Sequence, residues 1–258
     1  MGLNSDIGPV VVGQDIYELS STQKHNLGQR LVRGDKVFHY AKAYEALTSI
    51  EMAVHPQNLK YVRNAVLPAA VVAGSQTIGI TVNASDGLLW DGAIAKDEMV
   101  GGSVAIYRAG AAEWFVFGIR GNTAVTGGGT MTVTIDGEVP VTLTTSDYCE
   151  EAIPSIYSNV TDKSAAGIRP FVGMAMRLAT VAEPYFWVQT WGPSRIAPDA
   201  AVGASADANQ VVFGGDGAAH LATNGNARFE YAQNAGFVLT RDAAGDQAAP
   251  LIFLQIAP

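Results

Sequence analysis

From Val66 onward, apolar and polar residues alternate in short runs rich in β-branched and aromatic side chains. Segments 69–72, 77–82, 104–107, 114–119 and 130–135 read as strands, because such residues suit a pleated, half-buried surface. Asp136-Gly137 separates 130–135 from a second alternating run, 138–144. Asp-Gly suits the two positive φ angles of a type I′ hairpin, and Pro140 confines the second strand to a sheet edge or a bulge. Segments 171–179 and 185–191 read as an antiparallel pair, and 211–213, 229–231, 237–240 and 251–256 complete the set. The densest run is Tyr185-Phe186-Trp187-Val188-Gln189-Thr190-Trp191-Gly192-Pro193, in which Gly-Pro is expected to break the ladder.

The N-terminal quarter follows a different pattern. Residues 1–26 show no sustained period and read as an extended or loosely ordered arm. Residues 29–43 alternate around Gly34-Asp35, which marks a small hairpin. Across 41–54 the apolar residues Ala43, Ala46, Leu47, Ile50 and Val54 recur at spacings of three and four, which predicts a short helix bounded by Pro56. Segments 121–129, 158–167 and 198–209 read as linkers. No period of 20 to 50 residues is present, which excludes a solenoid or propeller. The expected fold is mainly β: an antiparallel β-barrel or sandwich body with an extended N-terminal arm and one short helix. Three parts are expected: 1–62 with the arm, hairpin and helix, 63–160 with the Asp-Gly hairpin, and 161–258 as a second β segment packing on the first.

Composition sharpens this picture. Hydrophobic residues make up 48% of the 258, enough for a substantial core, while charged residues reach only 16%, well below the usual quarter. Such a surface fits either partners covering much of it or a compact β protein with many turns. The net charge of −8 argues against a nucleic-acid binder, which needs clustered cations. Residues 24–63 are the exception, with Lys24, Arg30, Arg33, Lys36, Lys42, Lys60 and Arg63 against Asp35, Glu45 and Glu51. A basic segment on an acidic body suits docking onto an acidic protein surface; an ordinary solvated fluctuation in charge gives the same pattern. Cys149 is the single cysteine, so no internal disulfide forms. The N-terminus shows no signal-peptide pattern, and the longest apolar stretch, 65–84, is interrupted by Pro68, Gly74, Ser75 and Gly79, so no membrane span is expected.

Candidate chemistry is sparse. His25, His39, His55 and His220 lack metal-ligand spacing, and His39, between Phe38 and Tyr40, reads as a packed histidine. The neighbouring Glu150-Glu151 would raise the Cys149 thiol pKa, the wrong direction for a nucleophile. No nucleophile elbow, zinc-protease motif or phosphate loop occurs. Adjacent carboxylates such as Glu150-Glu151 and Asp97-Glu98 would face opposite sides of a strand and so would not converge. No catalytic residue, cofactor or metal is therefore expected. Tyr185, Trp187, Gln189 and Trp191 share one strand face, where the aromatics would either form a sugar-stacking platform or seal a core or subunit interface.

Several segments resemble, in order, a class of tailed-bacteriophage virion structural proteins encoded near the major capsid protein. These are Leu27-Gly28, Val37-Phe38-His39-Tyr40-Ala41-Lys42-Ala43, His55, the strand 78–82, Gly101-Gly102-Ser103-Val104-Ala105-Ile106, Gly118-Ile119-Arg120-Gly121-Asn122, Val172-Gly173-Met174-Ala175 and Phe186-Trp187-Val188-Gln189-Thr190-Trp191-Gly192-Pro193. The resemblance spans residues 27–193; the remainder matches only as a generic β tail. It implies a capsid decoration or cement protein on the capsid exterior, present in the host cytoplasm during assembly, and it implies no catalytic residues.

The sequence-based expectation is thus a non-enzymatic β protein, a homotrimer in the favoured reading, whose partner is the major capsid protein. Arg30, Arg33, Lys36 and Lys42 are the candidate capsid contacts; Tyr185, Trp187 and Trp191 are candidates for a core or subunit interface. Neither nucleic acid nor membrane is an expected partner. The alternatives are a tail, baseplate or head-fibre component, or a carbohydrate-binding adhesin module.

Overall fold

The computed structural model describes residues 13–57, 61–162, 170–198, 202–203, 209–222, 232–240 and 250–258. Its strands are β1 (Arg30–Arg33), β2 (Lys36–Lys42), β3 (Ala53–Pro56), β4 (Val62–Val66), β5 (Thr77–Val82), β6 (Ser103–Arg108), β7 (Glu113–Asn122), β8 (Gly129–Ile135), β9 (Tyr148–Ile153), β10 (Val160–Thr161), β11 (Gly173–Ala175), β12 (Tyr185–Arg195), β13 (Gln210–Phe213), β14 (Ala219–Leu221), β15 (Asn234–Val238) and β16 (Leu251–Gln255). Among the described residues there is no helix. The fold is mainly β, and every pairing between named strands is antiparallel.

The chain forms two compact units, one from Met1–Gln57 with Tyr157–Pro258, the other from Asn58–Ile156. The second is therefore an insertion in the first. The dividing lines differ from the three consecutive parts read in the sequence, because strand pairing joins the chain ends: β2 lies against β12 over Lys42↔Tyr185 to Val37↔Trp191. Insertion is simple where it occurs. The strands before and after it, β3 and β10, are paired neighbours at His55↔Thr161 and Pro56↔Val160, and Gln57 N donates to Asn159 O at 2.7 Å.

The outer unit is a ten-stranded sheet ordered β10-β3-β11-β12-β16-β15-β13-β14, with β2 on β12 and β1 on β2. Alternation along β2 and β12 sends side chains to two cores. Leu31, Phe38, Tyr40 and Trp187 pack with Ile16 on one side, while Ala41, Phe186 and Val188 pack with Val54 and Val172 on the other. The β1–β2 turn is the expected Gly34-Asp35, with Gly34 at φ +61°, which a type II′ hairpin requires at its first central position. Gly192-Pro193 does not end its strand. The register on β2 shifts between Gln189 and Trp191, and β12 continues through Pro193↔Phe253 on β16.

Of the two N-terminal expectations, the helix fails and the arm lies partly outside the described residues. The 41–54 segment is not helical: its first residues belong to β2, its last to β3, and an irregular stretch joins them. Its three-and-four spacing is outweighed by tertiary pairing, with Leu47 N bonded to Ala179 O and Tyr44 N to Val160 O. The N-terminal arm lies outside the described residues as far as 12. From 13 onward the chain is irregular but clasped, not loose. Gln14 is buried; its Oε1 accepts from Tyr40 OH at 2.7 Å, and its Nε2 donates to Glu18 O at 2.8 Å and Tyr185 O at 3.0 Å. The Trp187 indole N–H donates to Gln14 O at 3.3 Å.

The inserted unit is a six-stranded sheet ordered β4-β9-β6-β7-β8-β5. It curls until its edges approach, where Thr81 Oγ1 donates to Val66 O at 2.9 Å, giving a barrel-like form around Ile78, Ile80, Ile106, Met131, Val133 and Leu143. The Asp136-Gly137 hairpin is absent. β8 pairs with β5 and β7, Gly137 has no positive φ, and 138–144 forms only a bridge, Val71↔Leu143. Asp136 instead anchors itself to Gly118, with its backbone N donating to Gly118 O and its Oδ1 accepting from Gly118 N, both at 2.9 Å.

Candidate functional site

The candidate contact and interface residues named in the sequence lie in the outer unit. Arg30, Arg33, Lys36 and Lys42 all sit on the β1–β2 hairpin, but alternation divides them. Arg33 pairs with Lys36, and both share the face of Lys42, whereas Arg30 pairs with His39 on the opposite face. Arg33 forms a 3.2 Å ion pair with Asp15, and Arg30 Nε donates to Pro258 O at 3.2 Å. The hydrogen bond from the Tyr17 N–H and, more weakly, the Arg33 guanidinium hold the Asp15 carboxyl below its ordinary pKa.

The aromatic strand turns largely inward. Trp187 is fully buried, its ring 5.1 Å from Tyr40 and 5.2 Å from His25. Tyr185 and Trp191 are half-buried, and Trp191 meets Phe253 edge-on at 5.7 Å. The Gln189 amide donates to the carbonyls of Trp191, Gly192 and Pro193, so it secures the bulge. His39 stacks on Tyr157 at 4.8 Å and bonds Thr190 Oγ1 at 3.2 Å. Burial, aided by the Arg30 charge, lowers its pKa to about 4.

A cleft that the sequence reading missed opens in the inserted unit. Its volume is about 670 Å³, and Arg63, Asn64, Asn83, Ser85, Asp86, Ala105, Trp114, Glu150 and Glu151 line it. Strand irregularity builds it. Cys149 and Ala152 are both in the core, three residues apart, which plain alternation forbids. A β-bulge where β9 pairs Ala105 with Glu151 and Ile106 with Cys149 resolves the conflict and turns both Glu150 and Glu151 outward. The expectation that this pair diverges is thereby corrected. β4 carries a matching distortion: Val62 and Ala65 are both core, and Asn64 between them adopts φ +47°, so Arg63 and Asn64 both lie on the cleft side. Asparagine tolerates this left-handed conformation better than most residues.

The remaining walls are equally specific. Asp86 is nearly buried at 8% exposure and holds its loop by accepting from Asn83 N at 2.7 Å. Ala105 lies beside Glu151 in register and leaves the floor open. Trp114 stands 59% exposed at the rim, its ring 4.9 Å from Tyr107. The side chains of Arg63, Glu150 and Glu151 form no hydrogen bond or ion pair among the described residues. Beneath them, burial pushes the Cys149 thiol up to about 12, with the charges of Asp86, Glu150 and Glu151 adding to the shift. Cys149 is thus an inert core thiol. Among the described residues no group of three or more His, Cys, Asp or Glu is placed to hold a metal ion, and no helix is long and apolar enough to cross a membrane. Comparison with protein-family models, curated proteins and solved structures finds no match to the chain.

Proposed function

We propose that this protein is a structural component of a tailed-phage virion, a decoration or cement protein that binds the outer surface of the head shell and stabilises it. One observation carries the reading beyond the sequence. Three segments of the resemblance, the first remote in the chain from the other two, become the adjacent strands β2, β12 and β11, paired at Val188↔His39 and Ala175↔Val188. These three segments therefore form one contiguous piece of sheet, while 78–82, 101–106 and 118–122 fall on the sheet of the inserted unit. The partner in this reading is the major capsid protein. A trimer would engage several capsid subunits at once, raising avidity without any single strong contact. The β1–β2 hairpin, with Lys36 and Lys42 on one face, is the candidate capsid contact.

Cryo-EM of virions carrying this chain tests the reading. Density on the outer head surface in hundreds of copies is expected. Density confined to the tail, or about a dozen copies at a vertex, overturns it. Particles stripped of the protein should release DNA at lower temperature than intact ones, since a ligand that binds only the assembled shell stabilises it by mass action. Identical release curves refute the cement role.

A further inference from the structure

We propose that the cleft of the inserted unit binds a neutral carbohydrate, with Trp114 as the stacking platform and Arg63, Asn64, Glu150 and Glu151 as partners for its hydroxyls. This site is distinct from the aromatic strand β12, where burial of Trp187 removes the ring that a sugar would need.

A sugar ring has an apolar C–H face and a rim of hydroxyls that both donate and accept. Its binding site needs an accessible aromatic face beside planar polar groups of both kinds. The cleft supplies each. Trp114 is a large aromatic left open to solvent on a strand whose neighbouring position, Phe115, packs against the core. The Arg63 guanidinium donates only, the carboxylates accept only, and the Asn64 amide does both. Arg63, Glu150 and Glu151 form no hydrogen bond or ion pair among the described residues, so hydroxyls meeting them displace no bond seen there.

The geometry also carries a cost. Asn64 sits in a left-handed backbone conformation, and β9 gives up regular pairing to turn two carboxylates the same way. Bulges and non-glycine left-handed residues concentrate where a side chain must be re-aimed. Regular alternation would have placed one of each pair in the barrel interior, so the paired distortions are what gather four polar side chains on one surface.

Charge selects the class of ligand. Asp86, Glu150 and Glu151 outnumber Arg63, which disfavours phosphate, nucleic acid and acidic glycans. Arg63, in cross-strand register with Glu151, sits in the same wall and opposes a cationic peptide. A neutral ligand rich in hydroxyls satisfies both signs.

The test uses the full chain, titrated by calorimetry with neutral hexasaccharides of glucose, mannose, galactose and N-acetylglucosamine. A hexamer of galacturonic acid serves as the acidic control and a Lys-rich peptide as the cationic one. At least one neutral oligosaccharide is expected to bind. Trp114→Ala should weaken it at least about tenfold, in line with the loss of one aromatic stacking partner. Glu151→Gln should weaken it by a smaller factor. Trp114 is exposed, so its loss leaves folding intact, which circular dichroism verifies. Val116→Ser, a 69% exposed neighbour on the same strand but outside the cleft, should leave binding unchanged. Absence of any neutral-glycan binding at concentrations up to about 10 mM overturns the proposal. So does affinity unchanged by Trp114→Ala, or binding of the cationic peptide alone.

Discussion

Replacing Trp187 by alanine removes the largest fully buried side chain of the outer unit. An aromatic of this size hides about 150–250 Å² of surface, worth about 4–6 kcal/mol at ~25 cal/mol per Å². The denatured chain already hides part of that area, which lowers the expected loss to about 3–5 kcal/mol, the range for Trp→Ala in a core. Relaxation offers little relief. Phe38 and Tyr40 belong to β2, pinned between β1 and β12, and Gln14 would lose the indole donor while still holding Tyr40 and Tyr185. Urea unfolding followed by circular dichroism measures the effect. With a slope of about 2 kcal/mol per M, the outer unit's midpoint should fall by roughly 1.5–2.5 M. Trp90 and Trp114 lie in the inserted unit, so with Trp191 also replaced by Phe their fluorescence should report a transition that shifts little. Trp187→Phe should cost clearly less than alanine. A midpoint shift below about 0.5 M, or about 1 kcal/mol, would refute the assignment of Trp187 as a core keystone.

Three further outcomes follow from the same structure. Gln14→Ala should destabilise the outer unit by about 1–3 kcal/mol, because the buried Tyr40 hydroxyl and Tyr185 carbonyl lose their partner; a loss under half of that in urea melts counts against the clasp. His39 has a folded pKa near 4 against 6.5 in the unfolded chain, so the unfolded state takes up the proton first as pH falls. Its contribution is complete above about pH 6.5 and lost towards pH 4, amounting to about 1 kcal/mol between pH 7.5 and 5.5. Stability measured at those two pH values should show that slope, and His39→Gln should flatten it. Replacing Asn58–Ile156 by a four-residue Gly-Ser turn should leave the outer unit folded, since β3 and β10 are already hairpin neighbours; loss of cooperative unfolding in the shortened chain refutes the insertion.

Local pattern decided the β character of this chain. β5 and β8 fall where runs rich in Val, Ile and Thr predict them, and β16 where Leu, Ile and Phe do, because a period of two needs no distant information. The Gly34-Asp35 turn was legible for the same reason, as both of its strands lie within a few residues of it. What failed were features set by partners remote in sequence. The helical spacing of 41–54 lost to bonds with Ala179 and Val160, and the Asp-Gly turn lost its second strand when β8 found β5 and β7. Cys149-Glu150-Glu151-Ala152 and Val62-Arg63-Asn64-Ala65 share an apolar-polar-polar-apolar signature that in hindsight marks the cleft. By itself it fits a turn, a helix or a bulge. Only the barrel core, by requiring both ends of each tetrad, turned the two middle residues of each outward and made a site of them.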